Sequence, residues 1–282
     1  MLSAEKQYLK IGKKIIEKGV WVNNDRTGKK CLTIPNATMR YSQKIPLLTT
    51  KSVAINSAIA EIIGYLRGYT NAAEFRRIGT KTWDKNANET KAWLANPRRK
   101  GVDDMGKVYG AVAKDFGGID LIQKVFSDIV NGKDDRGEII SFWNPSVFDM
   151  GCLRPCLMQH QFQIIGKKLY LTSYQRSCDF ALGIPFNMVQ SWFLLKFACH
   201  ISGLEFGEVE HHMVNVHLYE DQVEIFKDIQ LKREPLKNTS KFSFSDKVKC
   251  FEDILVDNLI ARDYYKLNDY KNMGRIEYPF SE

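Results

Sequence analysis

The segment HQFQIIGKKLYLTSYQRSCDFALGIPFNMVQSWFLLKFACHISG, residues 160–203, does most to limit the fold. Its first part is two alternating runs about a glycine turn, the pattern of a β-hairpin. After a sharp Gly-Ile-Pro corner it continues as a long apolar helix. An earlier stretch, INSAIAEIIGYLRG at 55–68, has aliphatic residues on nearly every face and is also expected to be a buried helix. Strands and helices interleave along the chain without strict βαβ regularity, which predicts an α+β fold with a large mixed sheet flanked by helices.

The remaining elements fit one domain over residues 1–282. The first 20 residues form an amphipathic helix pattern ended by Gly19. WVNNDRTGKKCLTI predicts a turn-rich loop leading into a strand, and IPLLTTKSV another extended piece. Residues 84–107 are polar and predict a surface insertion with a short helix. FGGIDLIQKVFSDIVNG is an amphipathic helix with a glycine stop, EVEHHMVNVHLY a strand, and DQVEIFKDIQLKREP amphipathic again.

A chain of 282 residues with 44% hydrophobic and 26% charged residues belongs with globular proteins, not disordered ones. No apolar run approaches the roughly 20 residues that span a bilayer, so a cytoplasmic location is expected. The six cysteines show no C-x-x-C spacing, and with five histidines they offer no convincing metal-ligand set. A net charge of +8 suits an anionic small substrate, a nucleic acid or simple solubility. The basic residues are dispersed and no aromatic-basic stripe stands out, which favours a phosphorylated metabolite and makes nucleic acid an unlikely partner.

Two groups suggest chemistry. Glu61 sits in the middle of the apolar 55–68 helix, where a carboxylate is costly unless paired or functional; a solvated edge position is the alternative. Cys156 follows a proline and precedes a core-like strand, and the adjoining hairpin brings Arg176 into reach of it; a structural buried thiol is the alternative there.

NDRTG at 24–28, PLLTTK at 46–51, AEIIGYLRG at 60–68, KTWD at 81–84, VYG at 108–110, SFWNP at 141–145, PC at 155–156, YQRSCDFALGIPFN at 174–187, VHLY at 216–219 and LKREP at 231–235 keep one order along almost the whole chain. In these motifs the chain resembles the thymidylate synthase family. The resemblance implies a homodimer with sheets packed back to back. It also implies transfer of one carbon from 5,10-methylenetetrahydrofolate, a cosubstrate, to C5 of dUMP. No metal is implied. Cys156 matches the nucleophile that adds to C6 and activates C5. Glu61 matches the carboxyl that organises proton transfers, Tyr109 lies in a matched catalytic motif, and Asn187 matches the reader of the base. Arg26, Arg176 and Ser177 match phosphate ligands, and Arg136 the arginine that reaches the partner's active site. His217 and Tyr219 match the pair on the sugar hydroxyl. Asp179, with Trp83, Leu153, Gly183 and Phe186, matches the folate pocket, Asp179 bordering the nucleotide as well.

Several family positions differ. Leu157 replaces a histidine after the nucleophile, Ala111-Val112-Ala113 a Gln-Trp-Arg, Asn86 a second tryptophan, Gly137 a second arginine, and Met213-Val214-Asn215 a Gly-Gly-Asp. The chain ends RIEYPFSE, unlike the aliphatic segment that closes the family's folate pocket. Closure matters because hydride transfer to the one-carbon intermediate gives dTMP, whereas water attack gives 5-hydroxymethyl-dUMP. Both outcomes stay open here, beside a non-catalytic RNA-binding homologue. The pattern of departures and the Lys, Asn and Ile richness also suit a viral gene, which would place the protein in a host cytoplasm.

Overall fold

The computed structural model describes residues 2–25 and 28–280. The first helix, Ala4–Lys18, starts at Ser3, whose hydroxyl accepts from the Lys6 amide, and stops at Gly19 as its pattern predicts. Its buried Glu5 accepts from the Thr49 amide (2.6 Å), the Thr49 hydroxyl (2.7 Å) and the Thr50 amide (2.8 Å). The Thr49 carbonyl accepts from Met273 N–H (2.8 Å). The backbone of the TTK segment is thus satisfied by a side chain and by the C-terminal region, so IPLLTTKSV is irregular instead of a strand.

The main sheet contains β1 (Val20–Asn24), β2 (Lys29–Tyr41), β3 (Ile139–Ser141), β4 (Leu157–Ile165), β5 (Lys168–Gln175), β6 (Cys178–Asp179) and β7 (Glu205–Tyr219). Their order is β1-β2-β7-β5-β4-β3, with β6 beside β7. β7 runs parallel to β5 and β6, and the other pairings are antiparallel. The sheet is therefore mixed, as the interleaved pattern requires. The expected β4–β5 hairpin turns at Gly166, whose φ of +61° favours glycine. The stretch expected as a turn-rich loop before β2 is instead largely strand: Val20 to Asn24 pair with Thr33 to Lys29. A small second sheet joins β8 (Lys241–Phe244) and β9 (Tyr265–Asn268).

Alternation along β5 puts Leu169, Leu171, Ser173 and Gln175 on one buried face. The helices Ile55–Arg67 and Gly183–Ser202 complete that layer. The second of these is buried on nearly every side, which is why its apolar residues show no single stripe. Tyr174 and Val214 are exposed on the sheet, and Tyr174 stacks on His212. The 84–107 stretch carries two short helices, Asp84–Asn88 and Lys91–Leu94. It is pinned by buried Trp93, whose indole N–H donates to the Asp104 carbonyl (2.6 Å).

Candidate active site

Cys156 stands at the entrance to β4, where β5 ends and β7 runs alongside it, so that three strands deliver side chains to one place. Its N–H donates to the Tyr109 hydroxyl (3.0 Å), and its carbonyl accepts from Arg176 N–H (2.9 Å). The Arg176 guanidinium donates through Nε to the Pro155 carbonyl (2.9 Å) and through Nη2 to the Arg154 carbonyl (3.1 Å). It lies 4.8 Å from the centre of the Trp143 ring. A permanent cation is thus fixed on the backbone immediately before the cysteine, with donors left to meet an anion.

Tyr109 has φ +42°, a strained value for a residue with a side chain and one that functional sites often hold. Its ring stacks on Tyr65 at 4.6 Å, and both meet the Trp83 ring edge-on. Burial raises the Tyr109 hydroxyl far above its usual range, so it stays a neutral partner for the Cys156 amide.

Glu61, on the Ile55–Arg67 helix, accepts from Gln190 Nε2 (2.6 Å). Burial raises its carboxyl above the usual range, while hydrogen bonds from Thr82, Gln190 and Tyr65 oppose the shift. Asn187 and Gln190 share the Gly183–Ser202 helix; Asn187 Nδ2 donates to Gln190 Oε1 (2.9 Å), and Asn187 Oδ1 accepts from Gln175 Nε2 (3.1 Å).

At the end of β7, His217 Nδ1 donates to the Asn215 carbonyl (2.8 Å). The His217 and Tyr219 rings meet edge-on at 5.1 Å. Asp179 accepts from the Leu182 amide (3.1 Å), and burial holds its carboxyl above the ordinary range. A side chain at Gly183 would come into van der Waals contact with Asp179 Cβ (3.7 Å) and Asn187 Oδ1 (3.8 Å). Leu153 and Phe186 pack half-buried against the core.

The chain's sequence matches the model of the family described as "Thymidylate synthase" over residues 6–281. The chain belongs to the thymidylate synthase family. A protein named thymidylate synthase from Shewanella frigidimarina is 50% identical, the match covering 98% of this chain and 99% of the relative. Relatives of the same name from Psychromonas ingrahamii (48%) and Haemophilus influenzae (47%) match over the same shares. All three are bacterial and lend nothing to the viral origin expected above.

Of the residues matched to family positions, hydrogen bonds and ring contacts connect Cys156, Tyr109, Arg176 and Trp83, and Gln190 joins Asn187 to Glu61, which meets the same group through Tyr65. Arg26 lies outside the described residues. Arg136 is exposed just before β3, and the neighbouring Asp134 accepts from the Ile164 amide at the far end of β4. From Ile164 back to Cys156 is about 25 Å along the strand, so Arg136 stands away from its own chain's cysteine.

Gln175, Gln190 and Lys51 were missed. Lys51 is buried, donates to the Ala181 carbonyl and lies 4.9 Å from the Tyr278 ring; burial lowers its ammonium to about 8, and Asp179 opposes that shift. A glutamine inside the apolar Gly183–Ser202 helix was the available signal for Gln190. Near Asp179, the C-terminal segment docks through Tyr278, whose hydroxyl donates to Gln230 (2.6 Å), and Pro279, whose carbonyl accepts from Gln222 (3.1 Å). The acidic terminus, Glu282, on which the expected difference in closure rests, lies outside the described residues.

Proposed function

We propose that this member of the family forms dTMP, using Cys156 as nucleophile on dUMP and methylenetetrahydrofolate as cosubstrate. The observation that carries the reading is the Arg176 guanidinium held on the Pro155 and Arg154 carbonyls beside Cys156, which sets an anion receptor next to a thiol. Arg176, Ser177 and Arg26 bind the phosphate, and Arg136 from a second copy completes the clamp. Asn187 reads the pyrimidine edge, and His217 and Tyr219 hold the sugar hydroxyl. The Cys156 thiolate adds to C6, and the electron pair moves toward O4, making C5 nucleophilic. Glu61, whose carboxyl burial raises above the usual range, manages the protons.

The folate supplies the one-carbon unit and the hydride that completes the methyl group. Trp83, Leu153, Gly183 and Phe186 form its pocket, and Asp179 borders both ligands. The docked Tyr278 and Pro279 support a pocket that excludes water, and with it the methyl product over the hydroxymethyl one. The exposed sheet residues Tyr174 and Val214 support a homodimer formed through that face. Among the described residues no helix is long and apolar enough to cross a membrane, and the reading assigns the enzyme to the cytoplasm.

Incubation with dUMP and methylenetetrahydrofolate, followed by mass spectrometry, is expected to give dTMP and dihydrofolate; hydroxymethyl-dUMP with tetrahydrofolate overturns the reading. Cys156→Ala is expected to abolish turnover while dUMP binding changes by less than about threefold.

A further inference from the structure

The polar groups behind Asn187 form one directional chain. Gln175 Nε2 donates to the Ser177 carbonyl (3.1 Å), a pure acceptor that fixes which end of this amide is nitrogen. Its oxygen must then accept from His211 Nε2 (2.9 Å), which leaves His211 Nδ1 to accept from the Tyr41 hydroxyl (3.0 Å). Burial lowers His211 to about 3, so the ring is neutral and has one acceptor nitrogen. Every donor from Tyr41 through His211, Gln175, Asn187 and Gln190 therefore points toward Glu61.

This orientation leaves Asn187 one N–H and one oxygen lone pair to offer a base. That pair complements O4 and N3–H of uracil, and opposes the exocyclic amine and N3 of cytosine. Reversing the Asn187 amide would set nitrogen against Gln175 nitrogen and oxygen against Gln190 oxygen. Gln190 can turn to relieve its end only by presenting oxygen to Glu61. That turn would give up the hydrogen bond that Glu61 accepts from Gln190 Nε2 (2.6 Å).

We propose that Gln190 is a positioning residue that transmits the acceptor character of the Glu61 carboxylate to the Asn187 amide, fixing the site for uracil over cytosine nucleotides. The inference rests on the functional reading above, and it assigns to Gln190 a role separate from contact with the nucleotide. The groups felt by Glu61 are Gln190 from one helix, Tyr65 from its own, Thr82 from the loop before Asp84, and Tyr109 from the segment behind Cys156.

The test compares wild type with Gln190→Met and Gln190→Glu, measuring dissociation constants for dUMP and dCMP and the pH profile of kcat/KM for dTMP formation. Gln190→Met removes both hydrogen bonds at similar volume; the dUMP-to-dCMP affinity ratio is expected to fall about tenfold, mainly by loss of dUMP affinity. Gln190→Glu still accepts from Asn187, so it keeps the ratio within about threefold. Its second carboxyl beside Glu61 moves the acidic limb of the profile about one pH unit upward. A Gln190→Met enzyme with wild-type ratio overturns the proposal, as does a Gln190→Glu enzyme with wild-type ratio and wild-type profile. If Gln190→Met does not fold, the Gln190→Glu profile alone decides. A wild-type protein that binds neither nucleotide overturns the functional reading itself, and the inference with it.

Discussion

Gly110 holds the strained Tyr109 in place. A methyl group on Gly110 would lie 1.8 Å from the Tyr65 carbonyl oxygen and 2.5 Å from its Cα, both backbone atoms that cannot rotate away. Gly110→Ala must therefore part the Gly110–Ala113 turn from the Ile55–Arg67 helix, separating the stacked Tyr65 and Tyr109 rings. A stability loss of about 3 kcal/mol in urea unfolding is expected, with at least a tenfold loss of kcat because the Tyr109 hydroxyl supports the Cys156 amide. Alanine tolerated within about 0.5 kcal/mol would show that this packing is not tight. At this scale the sequence was most informative where one motif carried a whole constellation, as YQRSCDFALGIPFN does. It was silent where function depends on a partner from another element. Gln190 looks merely like a polar interruption in an apolar helix until Glu61, 129 residues earlier, is found on its amide.

At the scale of elements, the hairpin and the two apolar helices were legible because periodicity and burial are properties of the local chain. The TTK segment was not, because its backbone is satisfied by Glu5 and Met273, whose proximity is set by the finished fold. Two histidines on neighbouring parts of the sheet carry a measurable consequence. His160 on β4 is fully buried, bonds Ser173 Oγ through Nδ1 (2.8 Å), and has no hydrogen-bond partner at Nε2 among the described residues. Burial lowers both it and His211 on β7 to about 3, against 6.5 ordinarily. Between these values the unfolded chain binds protons that the folded one refuses, so each histidine stabilises the fold above pH 6.5 and loses that contribution as pH falls toward 3. The expected slope is about 1.4 kcal/mol per pH unit for each ring. His160→Gln, measured by urea unfolding from pH 6 to pH 4, is expected to reduce the slope by about that amount; an unchanged slope would mean His160 titrates normally in the folded protein.

At the scale of the whole molecule, the proposed phosphate site calls for a second copy. Arg176 lies beside Cys156 within the chain, whereas Arg136 sits beyond the opposite end of β4, about 25 Å from Cys156 along the strand. On the proposed reading an arginine so placed serves a neighbour, with two chains meeting about a twofold axis at the exposed sheet face. Mixing two defective enzymes separates this from a role within one chain. Cys156→Ala lacks the nucleophile, and Arg136→Ala is expected to raise KM for dUMP at least tenfold through loss of a phosphate contact. In a mixed dimer, the subunit that keeps Cys156 receives Arg136 from its neighbour, so one of its two sites is whole. After equal amounts are unfolded together and refolded, random pairing should return about a quarter of wild-type activity at low dUMP. If Arg136 acted on its own chain's site, no pairing would assemble both residues, and activity would stay at the average of the two parents.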